Sequence, residues 1–154
     1  MTTSRPGRES LTIAEVTAGH LDAVHALECE SFPAPWRREF FESELHASGR
    51  LNLAALRGRQ LIGYLFAMWF FDEMHINKIA VVDRERRQGV ALALMQDCMA
   101  FARERGIKVL SLEVRQSNQG AQDFYRRLEF APAYIRPRYY PDGEAAVVMS
   151  KSLE

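Results

Sequence analysis

From Leu61 to Phe71 every residue is apolar apart from Gly63, and this run constrains the fold more than any other part of the chain. It is far short of the ~20 residues that a membrane-spanning helix needs. A second strand-like segment, Glu73 to Val82, follows at once. Two such strands in succession belong in the middle of a sheet covered on both faces. The chain is long enough to supply that cover. With 154 residues, 47% of them apolar, it has the composition of a single globular domain and buries roughly 70% of the surface its unfolded form would expose.

Charge narrows the partners. Lys and Arg number 20 against 20 Asp and Glu, a balance that argues against direct binding of nucleic acid or an anionic membrane through bulk electrostatics. Any phosphate must be held locally. Met1 to Ser10 is polar and has no apolar signal core, which predicts a frayed N-terminus over residues 1–10, a single domain over 11–154 and a cytoplasmic location. Cys29 and Cys98 lie far apart in segments of helical pattern and match no metal spacing. Both are expected to be small buried apolar side chains in a reducing compartment. His20, His25, His46 and His75 show no ligand spacing, and no metal is expected.

The remaining elements follow from periodicity. Leu11 to Val16 alternates as a half-buried strand, and Thr17 is placed to cap a helix carrying Leu21, Val24 and Leu27 on one side. Phe32-Pro33-Ala34-Pro35-Trp36 must leave that helix, because each proline disfavours helical geometry in the residue before it. A second helix with Phe40, Phe41 and Leu45 on one face runs to about His46, and a strand over Leu51 to Leu56 turns at Arg57-Gly58-Arg59. After the two central strands, a helix from Gln88 to about Arg105 carries Val90, Leu94, Cys98 and Phe101, and Gly106 ends it. A strand over Val109 to Val114, a helix over Asn118 to Leu128, and strands near Ala133 to Tyr139 and Ala145 to Met149 complete the series. The order β, α, α, β, β, β, α, β, α, β, β predicts an α/β or α+β fold around one largely antiparallel sheet.

Between the strand ending at Val82 and the helix starting near Gln88 lies Asp83-Arg84-Glu85-Arg86-Arg87-Gln88-Gly89-Val90-Ala91. A strand that enters a helix through a glycine turn presents unpaired N–H groups at the helix N-terminus, a ready anion site. The residues alone leave two readings open: a solvated basic loop, or a phosphate cradle that is neither the dinucleotide fingerprint nor a P-loop. Arg86-Arg87-Gln88-Gly89-Val90-Ala91 resembles the (Arg/Gln)-x-x-Gly-x-(Gly/Ala) motif of the GNAT superfamily of N-acetyltransferases. Asn77-Lys78-Ile79-Ala80-Val81, Leu112-Glu113-Val114-Arg115-Gln116-Ser117-Asn118, Phe124-Tyr125-Arg126-Arg127-Leu128-Glu129-Phe130 and Tyr139-Tyr140-Pro141-Asp142-Gly143-Glu144-Ala145 are similar to motifs of its RimI-type branch. Those enzymes are alanine N-acetyltransferases that modify the N-terminus of a small-subunit ribosomal protein.

The resemblance implies a GNAT acyl-CoA N-acyltransferase fold: a mixed, mostly antiparallel seven-stranded sheet with splayed central strands, flanked by four helices. It implies that acetyl-CoA is held by the loop residues Arg87, Gln88, Gly89, Val90, Ala91 and Leu92, by the strand residues Ile79, Ala80 and Val81, and by Asn118. It makes Glu113 the general base and Tyr125 the acid that protonates the thiolate, with Trp36 and Tyr139 lining the entry for the acceptor peptide. The chemistry is consistent with this assignment. An α-amino group titrates about 2.5 units below a lysine, so holding it neutral is easier by roughly 3.4 kcal/mol, and one carboxylate suffices as base.

On the residues alone, Glu113 could instead be a solvated glutamate paired with Arg115 or a neighbour, Tyr125 a core aromatic, Asn118 an N-cap and Trp36 a packing residue. Two positions depart from the branch. Glu129 stands where it usually has glycine, and costs roughly 1 kcal/mol or more if that position is left-handed. Ala145 replaces the usual aspartate after Gly-Glu, which weakens the expected hydrogen bonds of that hairpin. A small-molecule amine or lysine acceptor, and an acyl-CoA-binding module without turnover, are the competing functions.

Overall fold

The computed structural model describes residues 9–154, so residues 1–8 of the expected N-terminal tail lie outside it; Glu9 and Ser10 are exposed and irregular. The chain gives β1 (Leu11–Glu15), α1 (Leu21–Ser31), α2 (Arg38–His46), β2 (Arg50–Arg57), β3 (Gln60–Phe70) and β4 (Glu73–Val81). There follow α3 (Val90–Glu104), β5 (Val109–Arg115), α4 (Gln119–Arg127), β6 (Ala131–Arg136) and β7 (Ala146–Ser152). Among the described residues the seven strands form one mixed sheet in the order β1-β2-β3-β4-β5-β7-β6. The apolar run becomes β3, third in that order, with Leu61 to Ala67 buried throughout. Chain contacts group into two compact units, residues 9–67 with Lys78–Cys98 and Met68–Asn77 with Met99–Glu154.

In the first unit β1 pairs antiparallel with β2, from Leu11 opposite Arg57 to Glu15 opposite Leu53. Leu21, Val24 and Leu27 of α1 are buried as their spacing predicts. Phe41, Tyr64 and Phe66 form an edge-to-face cluster with centroids 4.9–5.9 Å apart, a geometry their ring quadrupoles favour. Gly63 is needed for packing: a Cβ there would stand 2.9 Å from the Ala80 carbonyl oxygen, so this residue lets β4 approach closely.

Three details differ from expectation. Thr17 precedes a 3₁₀ turn, Ala18–His20, and the first turn is closed by the Thr17 backbone N–H donating to His20 Nδ1 at 3.0 Å. On α2 only Phe41 of the expected apolar face is deeply buried; Phe40 is 50% exposed, and Glu44 is drawn inward by Arg50 Nε at 2.5 Å. Cys29 is exposed, because it lies with His25 on the side of α1 away from Leu21, Val24 and Leu27; Cys98 is buried. Burial pushes the Cys98 thiol up to about 12.

In the second unit β4 and β5 run parallel, pairing Glu73–Ile76 with Val109–Leu112. β7 pairs antiparallel along the whole of β5, from Val109 opposite Ser152 to Arg115 opposite Ala146. The last two strands are displaced from their predicted positions. β6 starts two residues earlier than Ala133 and stops at Arg136, with Arg138 at φ 50° beyond it, so Tyr139 belongs to the following loop. β7 begins at Ala146 and continues to Ser152. Pro132 is tolerated because β6 is an edge strand, and the pairing is irregular between Pro132 and Tyr134.

Candidate active site

The loop after β4 is more elaborate than a single glycine turn. A 3₁₀ turn over Asp83–Glu85 leads to Arg87 at φ 62° and Gly89 at φ 82°, so α3 starts at Val90 rather than Gln88. Glu85 is buried and receives Arg57 Nε at 3.1 Å, which pins the turn to β2. The Ala93 N–H donates to the Gly89 carbonyl at 3.0 Å. The N–H groups of Val90, Ala91 and Leu92 precede this bond and have no intrahelical acceptor.

A Cβ built on Gly89 would meet nothing within 4 Å; its left-handed φ calls for glycine, and the space before it is open. β4 continues for five residues, Asn77 to Val81, past Ile76, the last residue it pairs with β5, while β3 remains its neighbour on the other side. Backbone donors at a helix start beside open space, together with a strand that outruns its pairing with β5, fit a ligand with a pyrophosphate and an extended amide-bearing arm, as acetyl-CoA has.

In the second unit β5 alternates strictly. Leu110, Leu112 and Val114 are buried, and Ser111, Glu113 and Arg115 occupy the other face. The Glu113 side chain is only 10% exposed; its Oε2 lies 2.6 Å from His75 Nε2, and Arg136 Nε stands 3.9 Å from Oε1. The other ring nitrogen, His75 Nδ1, is 3.0 Å from Ser111 Oγ. A neutral imidazole satisfies both contacts when Nε2–H donates to the carboxylate and Nδ1 accepts from the serine hydroxyl. An open groove of about 440 Å³, lined in part by Met68, His75, Ser111 and Tyr134, runs beside this chain and gives it access to solvent. Sequence reasoning set His75 aside for want of a metal partner. The signal that finds it is the parallel register, which puts His75 opposite Ser111.

Tyr125 is buried on α4 between Phe124 and Phe130, with centroids 5.1 and 5.8 Å away. Its hydroxyl has no hydrogen-bond partner among the described residues. Burial, and secondarily the neighbouring Tyr140, hold its phenol well above the ordinary range. Asn118 caps α4, its Oδ1 accepting from the Ala121 N–H at 3.1 Å.

Arg115 pairs not with Glu113 but with the loop between β6 and β7. It donates to Asp142 Oδ2 at 2.7 Å and Glu144 Oε1 at 2.8 Å, and its guanidinium lies 4.1 Å from the Tyr140 ring centroid. The Ser117 N–H donates to Glu144 Oε2 at 2.8 Å, and the Gln116 N–H to the Ala145 carbonyl at 3.0 Å. The hairpin therefore keeps its hydrogen bonds despite Ala145, through two acidic neighbours and the alanine's own backbone. The Tyr139 and Tyr140 N–H groups both donate to the Glu144 carbonyl at 3.1 Å. Burial first, and then the Glu113 charge, push the Tyr139 phenol upward, against a smaller opposing effect of Arg136. Glu129 adopts φ 70°, the left-handed geometry that glycine would take without strain.

In the first unit Trp36 is half-buried, its ring tilted against those of Phe40 and Phe41 with centroids 4.6 and 5.3 Å away. Among the described residues no cluster of His, Cys, Asp and Glu could hold a metal ion, and no helix is long and apolar enough to cross a membrane.

Comparison with known proteins agrees with these features. The sequence model of the acetyltransferase (GNAT) family matches residues 21–130. The [ribosomal protein bS18]-alanine N-acetyltransferase of Escherichia coli (strain K12) is 32% identical over 142 residues, covering 90% of this chain and 95% of the relative. An N-alpha-acetyltransferase of Saccharolobus solfataricus is 26% identical over 160 residues, covering 96% and 95%. The crystal structure of the ribosomal-protein-S18-alanine N-acetyltransferase from Escherichia coli superimposes with a TM-score of 0.87 at 30% identity, covering 94% of this chain and 95% of that one. Arabidopsis thaliana NAA60 in complex with acetyl-CoA shares the fold, with a TM-score of 0.84 at 17% identity over 93% of this chain and 98% of that one. The chain belongs to the GNAT family, as an acetyl-CoA-dependent N-acetyltransferase.

Proposed function

We propose that this single catalytic domain, residues 11–154, acetylates the α-amino group of a protein N-terminus in the cytoplasm, the acceptor being the N-terminal alanine of ribosomal protein bS18. The observation that carries the reading is Glu113: a largely buried carboxylate 2.6 Å from an imidazole that is itself hydrogen-bonded to Ser111. The relatives that act on bS18 support the choice of acceptor.

Acetyl-CoA, when bound, supplies the acetyl group as a thioester. The N–H groups of Gly89, Val90, Ala91 and Leu92, flanked by Arg87 and Gln88, hold its pyrophosphate. The helix dipole favours that charge by roughly 0.3–1 kcal/mol. The backbone of Ile79, Ala80 and Val81 pairs with the pantetheine arm. Asn118 contributes at the start of α4 while keeping its capping bond. Trp36 and Tyr139 contact the acceptor.

Glu113 takes the proton from the acceptor amine, directly or through one water, as the amine attacks the carbonyl carbon. Tyr125 gives its proton to the departing thiolate. Burial keeps that phenol protonated in the working pH range. The proton gained by Glu113 and the one lost by Tyr125 balance, and His75 with Ser111 offers Glu113 a hydrogen-bonded path to the solvent groove.

Labelled acetyl-CoA with alanine-initiated peptides tests the reading, alongside peptides with a blocked N-terminus and a free lysine. Mass measurement of ribosomal proteins after incubation should show one acetyl group on one protein. Transfer only to the lysine peptide would overturn the acceptor, and cofactor binding without product across the panel would overturn turnover.

A further inference from the structure

Glu28 holds both ends of the loop that carries Trp36. Its backbone carbonyl accepts from the Phe32 N–H at 3.0 Å, and its Oε2 accepts from the Trp36 N–H at 3.0 Å. Between those donors, Pro33-Ala34-Pro35 offers only the Ala34 N–H, since proline has none. The carboxylate is fully buried. Its Oε1 accepts from the Tyr64 hydroxyl at 2.5 Å, and Lys78 Nζ lies 3.0 Å from Oε2. Lys78 immediately precedes Ile79–Val81 on β4, and its ammonium sits 4.0 Å from the Phe32 ring centroid and 5.1 Å from that of Trp36, within cation–π range.

A well-packed apolar pair often fills such a space without loss of stability. An apolar pair could not accept the Trp36 N–H or hold two aromatic rings against one cation. What the charges add is therefore a fixed place for the loop. Resting on the reading of Trp36 as an acceptor contact, we propose that Glu28 and Lys78 are positioning residues for acceptor binding. Together they hold Phe32 to Trp36 in the conformation that receives the first residues of the acceptor, and they do so from the strand that carries Ile79, Ala80 and Val81. Neither residue touches the reacting atoms.

The test uses the full chain with Lys78→Met, Glu28→Gln and Lys78→Arg. In the first two variants the KM for an alanine-initiated peptide should rise about tenfold or more, while kcat and the KM for acetyl-CoA move less than about twofold; the arginine should restore most of the affinity. A second readout needs no turnover. The sequence has two tryptophans, so in a Trp69→Phe background the fluorescence is that of Trp36. Lys78→Met should shift its emission to the red and raise its quenching by acrylamide, and Lys78→Arg should reverse both. Unchanged Trp36 emission and quenching in Lys78→Met, or a parallel rise in both KM values, would overturn the proposal. Failure of the parent protein to acetylate any N-terminal peptide would instead overturn the acceptor assignment, and the tryptophan signal would still decide whether the pair fixes the loop.

Discussion

Two shielded glutamates, one in each compact unit, have opposite surroundings. Glu28 is fully buried and faces an ammonium, a phenol and a backbone N–H. Glu113 is slightly open and has a single close partner, the imidazole of His75, with Arg136 standing off at 3.9 Å. A carboxylate surrounded by fixed donors is anchored by the charge-assisted bonds it accepts. One whose close partner is an imidazole stands in a hydrogen-bonded chain that runs on to Ser111. Sequence type and burial are nearly the same at the two positions. The partners are what differ, and they are the ground for proposing Glu28 as a strut and Glu113 as the base.

The sharpest way to break this contrast is to neutralise each carboxylate in turn. Glu113→Gln should lower kcat about 10²–10⁴-fold with the thermal midpoint little changed, and Tyr125→Phe should lose a similar amount; full activity in both would end the assignment. Glu28→Ala should act on stability instead, costing about 3–5 kcal/mol in denaturant unfolding by leaving Lys78 without its charge partner. A large kcat loss there at unchanged stability would erase the distinction. Next in size, His75→Ala should reduce kcat about tenfold, with partial recovery in imidazole buffer. No recovery would make His75 a packing group.

The Arg115 clamp offers a comparison by pH. Hydrogen bonds from the Glu144 N–H and then Arg115 hold Asp142 below its usual range, and bonds from Ser117 and Arg115 do the same for Glu144. Both groups bind protons less readily in the folded chain than in the unfolded one. Their contribution to stability is therefore complete above the ordinary carboxylate pKa and is lost as pH falls through the lowered values. Acid unfolding of Arg115→Gln should show less of this loss than the parent; identical acid profiles would show that the clamp contributes none of it. Smallest of all, Glu129→Gly should raise stability by about 1 kcal/mol by relieving the left-handed strain. The exposed Lys151 contact at 3.4 Å that it removes should subtract little.

Much of this architecture was legible in the sequence because it rests on local rules. The apolar run and the strand after it pointed to the middle of a sheet, Gly106 to a left-handed end of α3, and Asn118 to the cap of α4. The strain at Glu129 was foreshadowed by the family resemblance, which has glycine at that position. What was not legible depends on register. His75 becomes Glu113's partner only because a parallel pairing sets β4 beside β5, and no periodicity encodes that offset. Glu28 reads as one more polar residue on a helix until Lys78, fifty positions later, is folded against it. The loop before α3 hid its second left-handed residue, since nothing about arginine announces Arg87 at φ 62°.

The outer strand β6 has a consequence for how another chain can be engaged. All six of its residues are exposed, Pro132 removes a donor, and the ladder is broken between Pro132 and Tyr134. Such an edge is a poor template for β-augmentation. A visiting polypeptide cannot readily extend the sheet there by main-chain pairing and so be held by its middle. On the proposed reading of a chain terminus as acceptor, that refusal favours ends over internal segments, which find no ladder to join along β6.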